Sequence, residues 1–206
     1  MFDLPRMSQR DPKWSDRELV DSGLTIGGWG CTLTSACMAA SAFGVEIAPD
    51  ELTDRMNAIG GFDTWGNLNW LKLAESLGLT FGYRWATDLD AGSGHERIAE
   101  GLAWKKVAEL QDWGVPCLLF IDTNRDERPN HWLCSWNVIG DTRRAIDPWT
   151  GQDVAVHDLY GFAFMLGTPL QAEGKLGPIL GKLVEIGAGM NIEMNAREAL
   201  EIIKRP

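Results

Sequence analysis

The chain has 206 residues, of which 45% are hydrophobic and 23% charged, the composition of an ordinary soluble globular protein with one domain-sized core. Its formal charge of −10 argues against nonspecific binding to nucleic acid or to anionic membrane, both of which attract basic patches. No apolar run approaches the ~20 residues that span a bilayer, and Met1-Phe2-Asp3-Leu4-Pro5-Arg6 has no apolar core of a secretory signal, so a cytoplasmic or virion-associated location is expected.

In chain order, Asp11-Pro12-Lys13-Trp14 reads as a rigid turn with a large apolar anchor. Ile26-Gly27-Gly28-Trp29-Gly30-Cys31 is a glycine-rich approach ending at a cysteine. From there Leu33, Ala36, Cys37, Ala40 and Phe43 recur at helical spacing up to Gly44. The pattern predicts a helix over 31–43 with Cys31 at its N-terminus, where free backbone N–H groups and the positive end of the helix dipole favour thiolate. Thiolate is the nucleophilic form, so a catalytic cysteine can be built here. A buried structural cysteine after a loop is the competing account.

Further helices are predicted over 49–57, with proline in the first turn, over 68–77, ended by Gly78, and over 93–113. Strands are predicted over 80–85, 116–121, 131–139, 143–147 and 161–166. Helices first and mostly antiparallel strands afterwards make the class α+β.

Of three histidines, His131 stands at the first position of a strand entered from a polar loop over 123–129. His95 lies behind Gly92-Ser93-Gly94 as a solvated helix-start residue, and His157 sits beside Asp158 near the exit of a late strand. A carboxylate at the end of the next strand, Asp147, could orient the imidazole; a turn-forming Asp-Pro is the plainer account of it. Asn137 competes, but six residues of one strand put it about 20 Å from His131. An ideal hairpin centred on Asp141 sets Asp147 opposite residue 135, about 13 Å along the strand from His131, so a bulge or a longer loop has to close that gap.

Gln9-Arg10-Asp11-Pro12-Lys13-Trp14, Gly30-Cys31-Thr32-Leu33-Thr34-Ser35, His131-Trp132 and Asp147-Pro148-Trp149-Thr150-Gly151 together resemble the papain-like cysteine peptidases of the bacteriocin-processing, double-glycine leader peptidase type. The nearer likeness is to the broad peptidase-like branch found free of a transporter. It spans residues 9 to 151, and the motifs keep the family's order and approximate spacing. The resemblance implies a papain-like fold, N-terminal helices packed on a mainly antiparallel sheet. It makes Cys31 the nucleophile, His131 the general base, Asp147 its orienting carboxylate and Gln9 a donor to the oxyanion. After the cysteine the family more often has a small Gly-Pro pair, where this chain has Thr32-Leu33. Neither metal nor cofactor is implied.

Four cysteines, 31, 37, 117 and 134, lack Cys-x-x-Cys spacing, and the last three read as small core residues. Ten tryptophans are many for this length. Most are core fillers, but Trp14, Trp29, Trp65 and Trp70 are expected near one half of a cleft, with Trp132, Trp136 and Trp149 around the histidine and aspartate. Trp29, Gly30 and Trp149 are the candidate substrate contacts.

Past Pro169 the chain becomes glycine-punctuated and apolar, with a helix predicted over 195–204. Residues 1–168 are expected to hold the catalytic domain and 169–206 an appendage, docking on the domain or on an assembly partner through 170–206. Two functions compete: a cysteine hydrolase acting on a peptide or peptidoglycan-peptide amide, and a catalytically silent papain-like module serving as a subunit of an assembly such as a phage particle.

Overall fold

The computed structural model describes residues 4–21, 23–86, 100–126, 129–139 and 142–167. His95 and the whole segment from 168 onward, including the predicted helix over 195–204 and the docking role of 170–206, lie outside the described residues.

The chain is α+β, with a six-stranded antiparallel sheet and five helices among the described residues. In chain order these are α1 (Ile26–Trp29), α2 (Cys31–Ser41), α3 (Pro49–Ala58), α4 (Trp70–Ser76), β1 (Thr80–Ala86), α5 (Glu100–Asp112), β2 (Cys117–Ile121), β3 (His131–Ile139), β4 (Thr142–Asp147), β5 (Gln152–Ala155) and β6 (Gly161–Leu166). The sheet order is β1-β6-β2-β3-β4-β5. Two elements escaped the sequence reading. The glycine-rich approach to Cys31 forms one helical turn, α1, and β5 is a short, largely exposed edge strand with no apolar alternation to announce it.

α2 is the central helix. Leu33 through Ala40 are all buried, on every side of the helix, which its small alanine, serine, threonine and cysteine side chains permit. It packs on β2 and β3 and against α3. Pro49 opens α3 and acidic residues occupy its first turn, as the helix dipole favours. Asn69 caps α4 by accepting from the N–H groups of Leu71 and Lys72. Lys72 Nζ then ties the two together by donating to the carbonyls of Ile59 and Gly60, at 2.7 and 2.9 Å.

α5 packs on β3, β2 and β6. Every residue of β6 is buried. Alternate strand residues point to opposite faces, so the sheet is covered on both sides around β6. No helix among the described residues is long and apolar enough to cross a membrane.

Candidate active site

Gly30 joins α1 to α2. A Cβ there would lie 2.6 Å from the Ile26 carbonyl oxygen and 2.8 Å from Ile26 Cγ2, so the chain can turn this sharply only with hydrogen at that position. Cys31 is thereby delivered at the first position of α2, as the sequence pattern predicts. Gly30 itself is buried, so its part is to shape the backbone.

The sulfur of Cys31 lies in hydrogen-bonding reach of the His131 imidazole, across a hundred residues of sequence. His131 Nε2 is 2.7 Å from Asp147 Oδ1, which leaves Nδ1 as the nitrogen that faces the sulfur. The same Oδ1 accepts the N–H of Trp149 at 2.8 Å, so the Asp-Pro-Trp turn holds the carboxylate that holds the ring. Both accounts of Asp147 hold at once: it is a turn residue and it grips His131.

A β-bulge, together with pairing that begins at Ile139↔Thr142, halves the gap expected between Asp147 and His131. Pairing of β3 with β4 runs Ile139↔Thr142, Val138↔Arg143 and Asn137↔Arg144, then shifts to Cys134↔Ile146. Two residues of β3 thus face one of β4, which brings Asp147 opposite residue 133, about 7 Å from His131 along the strand. Ser135 steadies the bulge: its hydroxyl donates to the Arg144 carbonyl at 2.8 Å and accepts from Gln111 Nε2 at 2.9 Å.

Beyond Cys134 the pairing with β4 stops, and α2 meets the backbone of β3. The Trp132 N–H favours the thiolate of Cys31, and the Trp132 carbonyl accepts from the buried Ser35 hydroxyl at 3.1 Å. Cys31 and Ser35 are four apart, one above the other on one helix face. One helix face therefore meets the backbone of one strand residue, Trp132, beside His131. Sequence reasoning assigned Ser35 no role; the available signal was a polar residue one turn past the cysteine on a helix otherwise built to be buried. Ser35→Ala leaves the Trp132 carbonyl buried without its partner, an expected loss of about 1–3 kcal/mol. It should also slow iodoacetamide alkylation of Cys31 near neutral pH, read by mass spectrometry. Ser35→Thr should restore both.

Electrostatics separate Cys31 from the other thiols. Burial pushes the thiols of Cys37, Cys117 and Cys134 well up. Burial pushes Cys31 up too, but the hydrogen bond and positive charge of His131, with the Trp132 N–H and the Thr32 hydroxyl, outweigh it and hold Cys31 below the ordinary thiol value. For His131, burial disfavours the charged ring; Asp147 and the Cys31 sulfur overcome that and raise it to about 9. All four cysteines are free.

Gln9 is 1% exposed, and the N-terminal segment carries it across the site. Its backbone N–H bonds the Pro148 carbonyl at 2.6 Å, and its side-chain Nε2 donates to the Gly27 carbonyl at 3.0 Å. Gln9 therefore bridges the turn after Asp147 and the approach to Cys31. Bonding to Gly27 orients the amide and leaves a second N–H on Nε2. Trp14 anchors the segment through Nε1 to the Ser8 carbonyl, 2.8 Å, but it lines a separate depression with Leu4 and Cys37 rather than the cleft where it was expected.

A groove of about 500 Å3 adjoins the cluster. Thr32 and Trp132, the neighbours of Cys31 and His131, form part of its wall, with Trp29, Trp65, Trp70 and Arg84 around it. Trp149 stands elsewhere, 44% exposed, with the Arg10 guanidinium 4.8 Å over its ring.

No protein-family model matches the chain, and neither the curated proteins nor the solved structures contain a match to it.

Proposed function

We propose that the protein is a papain-like cysteine hydrolase that cleaves a peptide or related amide bond. The observation that carries this reading is the joined set Cys31–His131–Asp147, with the carboxylate 2.7 Å from Nε2 and the one thiol among four that is held below its ordinary value. The hydrogen bond and opposite charges of Cys31 and His131 favour the thiolate–imidazolium pair. The sulfur attacks the carbonyl carbon, and the oxyanion that forms is met by the Cys31 N–H and the second N–H of Gln9. His131 gives its proton to the leaving amine as the C–N bond breaks, which leaves a thioester. Water then gives a proton back to His131 as it attacks the thioester, the acid leaves, and the thiolate returns.

Iodoacetamide tests the reading. At pH 6 Cys31 should alkylate far faster than Cys37, Cys117 or Cys134, as read by peptide mass spectrometry. If Cys31 reacts no faster than a free thiol, a silent binding module is the better account. The pH dependence follows from the two shifts. Alkylation should fall on the acid side, below the lowered value of Cys31, where the thiolate takes up a proton. Amide cleavage should also fall on the alkaline side near pH 9, where His131 loses the proton the leaving amine needs.

A further inference from the structure

Two of the tryptophans that wall the groove beside the dyad do little for the fold. Trp29 is 67% exposed and Trp65 is 79% exposed, and both edge the same depression. Exposed apolar groups gathered around a concave surface mark ligand sites more often than scattered ones do.

Trp65 is held out on a preformed loop. Phe62 and Leu68 bridge its base, and Asp63 Oδ1 accepts the N–H groups of Trp65 and Asn67 at 2.8 and 2.9 Å. Asp63 Oδ2 accepts the Asn67 side-chain amide at 2.9 Å. Gly66 turns the loop at φ +76°, and a Cβ there would meet Leu24 Cδ1 at 2.8 Å. Trp29 ends α1, two residues before Cys31. Two exposed indole rings are therefore carried on backbone already held by hydrogen bonds, so binding would cost little further ordering.

The kind of ligand follows from how wet the rings stay. A large apolar side chain gains most where it is fully buried, which rings this exposed cannot provide. A pyranose has one apolar C–H face and hydroxyl edges, so it can stack on an indole while its edges remain in water. Arg84, the one charged residue lining the groove among the described residues, lies 5.7 Å over Trp70 and 5.9 Å over Trp132. Stacked on these rings, it gives the groove wall a planar cationic group.

We propose that this groove holds the sugar of a glycan-bearing peptide, with Trp29 and Trp65 stacked on pyranose faces. Resting on the hydrolase reading for the bond cleaved, the inference makes the target amide one close to a sugar.

The test is direct binding of chitotetraose to the full-length chain by calorimetry, beside the peptide acetyl-Ala-Phe-Ala-amide. The sugar should bind and the peptide should bind more weakly. Trp65→Ala and Trp29→Ala should each weaken sugar binding about tenfold, the size expected for one lost ring contact. Trp65 is so exposed that its variant should keep the wild-type melting curve, which keeps the test valid if Trp29→Ala folds poorly. Absence of chitotetraose binding overturns the proposal, and so does binding that Trp65→Ala leaves unaltered, or tighter binding of the peptide. Binding needs no reaction at Cys31. Sugar binding with an unreactive thiol sinks the hydrolase and leaves the groove; a reactive thiol without sugar binding does the reverse.

Discussion

Replacing His131 by alanine is expected to turn Cys31 from the most reactive thiol of the protein into one of the least. Burial alone pushes the Cys31 thiol up, as it does for Cys37, Cys117 and Cys134; the imidazole outweighs it. Without the ring, only the Trp132 N–H and the Thr32 hydroxyl oppose burial. Thiolate falls tenfold for each unit of pKa above the working pH, so alkylation at pH 6 should drop steeply, toward the rate of the three buried thiols. Amide cleavage should vanish with it. A His131→Ala protein whose Cys31 still alkylates quickly at pH 6 would show that the helix N-terminus, not the imidazole, makes the thiolate. Stability should respond to pH through the same pair. The folded value of His131, about 9, lies above the ordinary 6.5. Its contribution is therefore fully present below 6.5 and is lost as pH rises through about 9. In His131→Ala that part of the pH dependence of Tm should disappear.

Gly30→Ala is expected to damage both fold and site. The new methyl would sit 2.6 Å from the Ile26 carbonyl oxygen and 3.0 Å from Ile26 Cα, which are backbone atoms that no change of rotamer moves aside. Ile26 is itself fully buried, so α1 cannot shift outward without opening the core. A cost of about 3 kcal/mol is expected, which in a chain of this size lowers Tm by roughly 6–12 °C. Because Gly30 sets where α2 begins, Cys31 should move relative to His131 and lose its reactivity at pH 6. Gly28 is the internal control. A Cβ there meets nothing closer than Thr25 Oγ1 at 3.6 Å, so Gly28→Ala should melt and alkylate like the wild type. If Gly30→Ala did the same, the tight junction of α1 and α2 would not be what places the nucleophile.

The elements themselves were legible in the chain. The apolar period from Leu33 to Phe43, Pro49 at the start of α3 and Gly78 after α4 are local signals, and the helices form within a few residues of where they point. The same holds for β3, which begins at His131, and for Cys31 at a helix N-terminus. These features depend on hydrogen bonds closed within a few residues, so neighbouring side chains suffice to announce them. β5 was not legible, because its pairing with β4 and not its own composition makes it a strand.

The distances inside the site depended on segments far apart in sequence. The strand period counted Asp147 two residues too far from His131. The bulge at Ser135 and Trp136 and the tight β3–β4 pairing at Ile139↔Thr142 removed the difference, and neither leaves a mark in a period-two pattern. Gln9 could be named from its motif, but its placement comes from bonds to Gly27 and Pro148, 18 and 139 residues away. Ser35 reads as one more small core residue until β3 lies against α2 and the Trp132 carbonyl meets its hydroxyl. Residue types that can do chemistry are visible in a sequence because chemistry needs particular atoms. Whether those atoms meet depends on strand register and on buried hydrogen bonds, which exist only once the chain has packed.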